Sequence, residues 1–184
     1  MKRVFLIHGW DGTPDGNWFP WLSWELKVAG WEVSLPQMPH AAEPKVAEWI
    51  SFLRDYVGKP DKDTYFVGHS LGCLAIARYL EALPAKTKVG GCVFVAGCSS
   101  RLDIPELASF FHIPFDPEKT KLHTSKFAMI FSDNDSYVPL EKSLAFAKEL
   151  GAKTIMERGR GHFTTEDGVI ALPSALSALI KMSS

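Results

Sequence analysis

Apolar residues along the chain fall into two alternating kinds of run. Short runs rich in β-branched and aromatic residues occupy 3–7, 31–35, 65–67, 89–96, 127–131 and 153–157. Between them, apolar residues recur every three or four positions. Trp18, Trp21, Leu22, Leu26 and Ala29 form one such stripe, closed by Gly30. Val46, Trp49, Ile50, Leu53 and Val57 form a second, over a helix predicted at 46–56. Further helices are predicted over 70–83, ending near Pro84, over 140–150, with Pro139 before it and Gly151 after it, and over 171–182. Strand and helix therefore alternate throughout. That order predicts a mostly parallel, twisted sheet with helices on both faces, a three-layer α/β/α sandwich. The runs 89–96 and 127–131 lack polar alternation, so both of their faces should be buried. No repeat or low-complexity linker interrupts the pattern, and 184 residues suit one domain spanning 1–184. One irregular segment, 98–125, reads as a short lid-like insertion at an edge of the sheet. It holds two short helical turns and the aromatic residues Phe110, Phe111 and Phe115.

Composition narrows the function classes. The net charge is −1, and no Lys/Arg stripe is visible. Nucleic acid or an anionic membrane as partner is therefore not expected. Cys73, Cys92 and Cys98 show no C-x-x-C spacing, so neither a disulfide framework nor a metal site is expected. No cofactor is expected either. The apolar run after Lys2 and Arg3 is too short for a signal peptide, and no run approaches the roughly twenty apolar residues a bilayer span takes. A reducing, cytoplasmic setting is the expectation.

The chemistry gathers at predicted strand ends, where parallel α/β sheets bind their ligands. Gly68-His69-Ser70-Leu71-Gly72 fits G-x-S-x-G and stands between an apolar strand and a helix, the context that motif needs. A serine on such a turn sits at a helix N-terminus, where unpaired N–H groups favour developing negative charge. Asp133 and Asp135 follow the strand 127–131, and His162 follows 153–157 in a loop loosened by Gly159 and Gly161. The order Ser, Asp, His suits nucleophilic catalysis. A serine hydroxyl needs an adjacent base, and histidine, with a reference pKa of about 6.5, can take and return its proton near neutral pH. A carboxylate then holds the imidazole in the right tautomer. The backbone N–H groups of Leu71 and Trp10 are the expected oxyanion donors. His8 and His69 read as structural, with the His69 side chain expected to point away from the attacking group. Gly9, Trp10, Trp18, Phe110, Phe111 and Phe163 are the candidate substrate-binding residues, although Trp18, Phe110 and Phe111 equally suit core packing.

Ile7-His8-Gly9-Trp10, the serine pentapeptide, Asp135-Ser136-Tyr137-Val138-Pro139 and Gly161-His162-Phe163 together resemble the α/β-hydrolase superfamily. Asn17-Trp18-Phe19-Pro20-Trp21-Leu22, Met38-Pro39 with Pro44 and Glu48-Trp49, and 110–119 point to one branch. That branch is the small serine hydrolase family that includes the YdeN-like proteins and retinoblastoma-binding protein 9. The resemblance implies a compact α/β-hydrolase fold beginning at the superfamily's third strand. It also favours Asp135 over Asp133 as the acid, because Asp135 directly precedes the x-x-Val-Pro turn. The retinoblastoma-binding motif L-x-C-x-E is absent, so no such partner is implied. The expected activity is a serine carboxylesterase on small acyl esters, working through an acyl-enzyme. Amidase, aminopeptidase-like or thioesterase activity, or a non-catalytic binding role, are the alternatives. The expected partner is thus a small-molecule ester or amide; the oligomeric state stays open.

Overall fold

The computed structural model describes residues 1–184. Its centre is one six-stranded sheet in the order β2-β1-β3-β4-β5-β6, every neighbouring pair parallel. The strands are β1 (Arg3–Ile7), β2 (Glu32–Ser34), β3 (Thr64–His69), β4 (Gly91–Val95), β5 (Phe127–Phe131) and β6 (Lys153–Met156). The helices are α1 (Phe19–Val28), α2 (Val46–Val57), α3 (Leu71–Glu81), α4 (Ala108–Phe111), α5 (Pro117–Lys121), α6 (Leu140–Leu150) and α7 (Pro173–Met182). The alternation read from the sequence is thus the topology of the fold.

Side chains along each strand divide between two cores, as a period of two requires. Phe5, Ile7, Phe66, Cys92, Phe94, Phe127, Met129 and Phe131 join the core under α2, α3 and α6. Val4, Leu6, Tyr65, Val67, Val93, Val95, Ala128 and Ile130 join the core under α1 and α7. The inner strands β3, β4 and β5 are buried along their whole length, and β6 is largely exposed at the sheet's edge. Helix α3 is buried from Leu71 to Leu80, so it is the helix least free to move. Each large apolar side chain removed from water there contributes about 1.5–3 kcal/mol.

The segment 98–125 does not lie at an edge of the sheet. It joins β4 to β5, two inner strands, and folds over the α2–α3 layer. Leu102, Leu107 and Phe110 enter that core beside Trp49, whose ring meets Phe110 edge-on at 5.5 Å. The physical reason is its apolar content, which is too high for a solvent loop. Besides α4 and α5 it contains a 3-10 turn, Pro105–Leu107.

No helix is long and apolar enough to cross a membrane.

Candidate active site

Ser70 stands between β3 and α3 with φ 53° and ψ −121°. A non-glycine residue there is strained, and the surroundings over-determine it. Its N–H donates to Val95 O at 2.8 Å, and its C=O accepts the Cys73 N–H at 3.0 Å. The flanking glycines permit the close approach. A Cβ on Gly68 would sit 2.7 Å from Cys73 N, and one on Gly72 would run into the Ile7 carbonyl oxygen. The turn is therefore wedged against the end of β1, and the hydroxyl faces the cleft above the sheet.

His162 and Asp135 meet across two loops. His162 Nδ1 donates to Asp135 Oδ2 at 2.8 Å, with both side chains buried. The other carboxylate oxygen of Asp135 accepts the N–H groups of Tyr137 and Val138 at 2.8 and 2.9 Å. Because Nδ1 carries the donated proton, Nε2 holds the lone pair, the tautomer a base needs. Ser70 and His162 line the same cleft without a hydrogen bond between their side chains, a slackness common before substrate arrives.

Four consecutive side chains grip four consecutive residues of the histidine loop. Asp133 accepts the Gly159 N–H at 2.8 Å, Ser132 Oγ accepts the Arg160 N–H at 3.0 Å, Asn134 accepts the Gly161 N–H at 2.8 Å, and Asp135 takes the His162 ring. Asp133 is therefore not a cap for its own turn but a tie to the opposite loop. From the far side, Asp167 Oδ2 accepts the His162 N–H at 2.8 Å. Burial pushes the Asp167 carboxyl up, but hydrogen bonds from Thr164 and His162 outweigh it and hold the group below the usual carboxylate range.

His69 ties the serine turn to the histidine loop, the structural kind of role expected of it. Its ring is buried edge-on against Trp18 at 5.9 Å and lies 5.0 Å from the His162 ring, and its Nε2–H donates to His162 O at 2.7 Å. Complete burial, followed by the neighbouring His162, lowers its pKa to about 3. Tyr137 covers the His162 ring from another direction, centroids 4.9 Å apart. Both stand at variable positions of their motifs, G-x-S-x-G and x-x-Val-Pro, where residue type announces no role.

The loop after β1 closes the site. A Cβ on Gly9 would lie 2.9 Å from Ser70 Cβ and 3.4 Å from Ser70 Oγ, so only glycine lets this backbone lie on the serine. The N–H groups of Trp10 and Leu71 have no protein acceptor, and Trp10 lines the cleft beside Ser70. His8 supports the loop. Its Nε2 accepts the Met38 N–H at 3.0 Å, and its Nδ1–H donates to Gly9 O at 2.8 Å. Burial lowers its pKa, partly offset by the bond to Gly9, so the ring stays neutral and fixed.

The cleft encloses about 460 Å³. Of the candidate substrate-binding residues, Gly9 and Trp10 line it; Trp18, Phe110, Phe111 and Phe163 do not. Trp18 and Phe163 are completely buried beneath the sheet in the α1–α7 core, Trp18 against Phe19 at 4.4 Å. Phe110 is buried against Trp49, and Phe111 packs on the same core. These four aromatic rings pack into or against the two cores, and other side chains form the wall. Leu102, Ile104, Leu107, Tyr137 and Trp10 line the cleft together with the polar residues Asp11, Thr13, Asn17, Thr164, Thr165 and Glu166. The apolar spacing of Leu102, Ile104 and Leu107 was the available signal, masked by the louder phenylalanines nearby.

A family model described as serine hydrolase matches residues 4–181. The chain is 32% identical over 179 residues to the hydrolase YdeN of Bacillus subtilis (strain 168), covering 97% of this chain and 94% of that one. It is 28% identical over 150 residues to the serine hydrolase RBBP9 of Rattus norvegicus, covering 80% and 78%. The crystal structure of the B. subtilis ydeN product superposes with a TM-score of 0.93 over 99% of this chain and 98% of that one. Est1E from Butyrivibrio proteoclasticus, in a structure with ferulic acid bound, shares the fold at a TM-score of 0.78 and 15% identity, covering 99% and 89%.

Proposed function

This chain belongs to the serine hydrolase family, and from that premise we propose that it is a carboxylesterase acting on small acyl esters through a Ser70 acyl-enzyme. The observation that carries the reading is a strained Ser70 sharing one cleft with the 2.8 Å pair of His162 and Asp135. His162 Nε2 takes the Ser70 hydroxyl proton as Oγ forms a bond to the ester carbonyl carbon. The carbonyl π electrons move to oxygen, which the N–H groups of Trp10 and Leu71 receive. Asp135 holds the imidazolium formed in this step. Collapse breaks the bond to the leaving alkoxide, which departs with the proton from His162. Water then repeats the sequence, its proton passing through His162, and releases the acid and Ser70.

The acyl group would lie along Leu102, Ile104 and Leu107. A wall of three aliphatic side chains in a cleft of about 460 Å³ suits short acyl chains. The test is a panel of p-nitrophenyl esters from acetate to decanoate, with fluorophosphonate labelling mapped by mass spectrometry. Labelling at Ser70 and fastest turnover of the short esters are expected. No label on folded protein would overturn the reading, and faster hydrolysis of a long-chain triglyceride emulsion than of butyrate would overturn the short-chain preference.

One observation favours a second reading, an amidase or aminoacyl esterase. Asp11 and Glu166 bring two carboxylates to the lining of the cleft, and no lysine or arginine lines it. An ammonium group on the substrate would be attracted there. Aminoacyl amides and esters turned over faster than neutral esters of equal size would favour this reading.

A further inference from the structure

The segment between β4 and β5 is fastened to the helix that starts beside Ser70. We propose that Arg78 is the positioning residue for the acyl-side wall, and that through this wall it sets the acyl length the cleft accepts. The inference rests on the esterase reading above.

Arg78 lies on α3, and its side chain is 9% exposed, unusual for arginine. Its guanidinium makes a dense set of bonds. Nη1 donates to Glu81 Oε2 at 3.0 Å and to Pro114 O at 3.1 Å. Nη2 donates to Phe110 O at 3.2 Å and to Ile113 O. Glu81 Oε1 accepts the Asp116 N–H at 2.6 Å, so the ion pair grips the segment on both sides of Phe115. The guanidinium also lies over the Phe115 ring, 5.9 Å from its centroid. Phe110 and Ile113 stand at the end of α4, where a helix leaves carbonyls without partners. A planar fork of five donors suits several carbonyls at once, which a lysine ammonium does not.

The fastened unit is continuous with the cleft wall. Helix α4 follows directly on the Pro105–Leu107 turn, and Leu102, Ile104 and Leu107 line the cleft beside Ser70. A four-residue helix and a single 3-10 turn do not hold together by their own propensity. Tertiary bonds must hold them. Ser109 supplies two, donating to Pro44 O at 3.1 Å and accepting the Val46 N–H at 3.2 Å. Arg78 supplies three, all from the helix whose first turn carries the Leu71 N–H. The wall and the serine are therefore referenced to one rigid element, α3, and the 98–125 segment acts as a fixed wall instead of an opening lid.

Removing Arg78 alone would strand the Glu81 carboxylate, so the main variant is Arg78→Met with Glu81→Gln, which removes both charges together. Arg78→Lys is the conservative comparison. The readouts are kcat and KM for p-nitrophenyl acetate, butyrate and octanoate, the thermal midpoint, and amide hydrogen exchange over 102–116. In the double variant the acetate kcat is expected to hold while the octanoate KM falls. The butyrate-to-octanoate preference in kcat/KM is expected to shrink about tenfold, the scale one or two methylenes carry in an apolar pocket. Exchange over 102–116 should speed up with β3 and α3 unchanged, and Arg78→Lys should fall between. An unchanged preference in a folded variant overturns the proposal, as does a uniform loss on all three esters that tracks the thermal midpoint. If the wild-type protein hydrolyses none of the esters, the esterase reading fails by itself. The exchange comparison then decides alone: faster exchange at 102–107 upholds the positioning by Arg78, and unchanged exchange removes it.

Discussion

Asp133 Oδ1 accepts the backbone N–H of Gly159 at 2.8 Å, two residues from the carboxylate that holds the His162 ring. Two acids in one loop thus hold the histidine loop by different handles, one by backbone and one by imidazole. Asparagine at either position keeps an acceptor oxygen, so the two substitutions separate the roles. Asp135→Asn should lower kcat by about ten-thousand-fold by permitting the wrong tautomer. Asp133→Asn should stay within about tenfold, since an amide oxygen still receives Gly159. The comparison needs only one ester substrate and a check of folding, and the reverse ranking would move the acid to Asp133.

The strained serine separates stability from activity. At φ 53° and ψ −121° the backbone of Ser70 lies where glycine is at ease and alanine is not. Ser70→Ala and Ser70→Gly should both lose nearly all turnover, about a million-fold by analogy with other triads. Ser70→Gly should nevertheless be the more stable of the two by about 1 kcal/mol. Urea unfolding of the pair checks it, and equal midpoints would mean that the surroundings relax the strain.

Gly9 tests the oxyanion loop. A methyl group there would press on Ser70 Cβ at 2.9 Å and on His69 O at 3.1 Å. The loop must move away by a few tenths of an ångström, carrying the Trp10 N–H with it. Gly9→Ala should keep its fold and lose about a hundred- to a thousand-fold in kcat, with KM little changed. A drop in KM alone would show that the Trp10 N–H is not a donor to the reacting oxygen.

Acid should destabilise the fold through His69. In the unfolded chain its imidazole binds a proton below about pH 6.5; in the fold burial delays this to about 3. Between those values the unfolded state binds more protons, so stability is complete above about pH 6.5 and falls as pH drops toward 3. By pH 5 the loss from this group is about 2 kcal/mol, and His8, lowered by burial as well, adds in the same direction. His69→Gln, which keeps an N–H for the His162 carbonyl but does not titrate, should lose correspondingly less between pH 7 and pH 5. Parallel unfolding curves for the two proteins at both pH values would count against it.

The order of strands and helices was legible in the chain because each depends on local period. The spans 3–7 and 140–150 coincide with β1 and α6, and the alternation of β-rich runs with helical stripes left one architecture open. The strand-end residues Ser70, Asp135 and His162 were legible for the same reason, since a parallel sheet brings the ends of its strands to one side. Side-chain direction in the loops was not legible. Trp18, Phe163 and Phe110 are all aromatic residues beside functional motifs, yet all three went into the core. Their rings fill large buried volumes, and loops have no period from which a facing direction can be read. Which carboxylate bonds the His162 ring, the turn of His69 toward His162, and the cleft wall of Leu102, Ile104 and Leu107 were likewise decided only when distant loops packed together. Each depends on a partner that lies from 27 to 93 residues away in the chain or across the cleft, where no local spacing can report it.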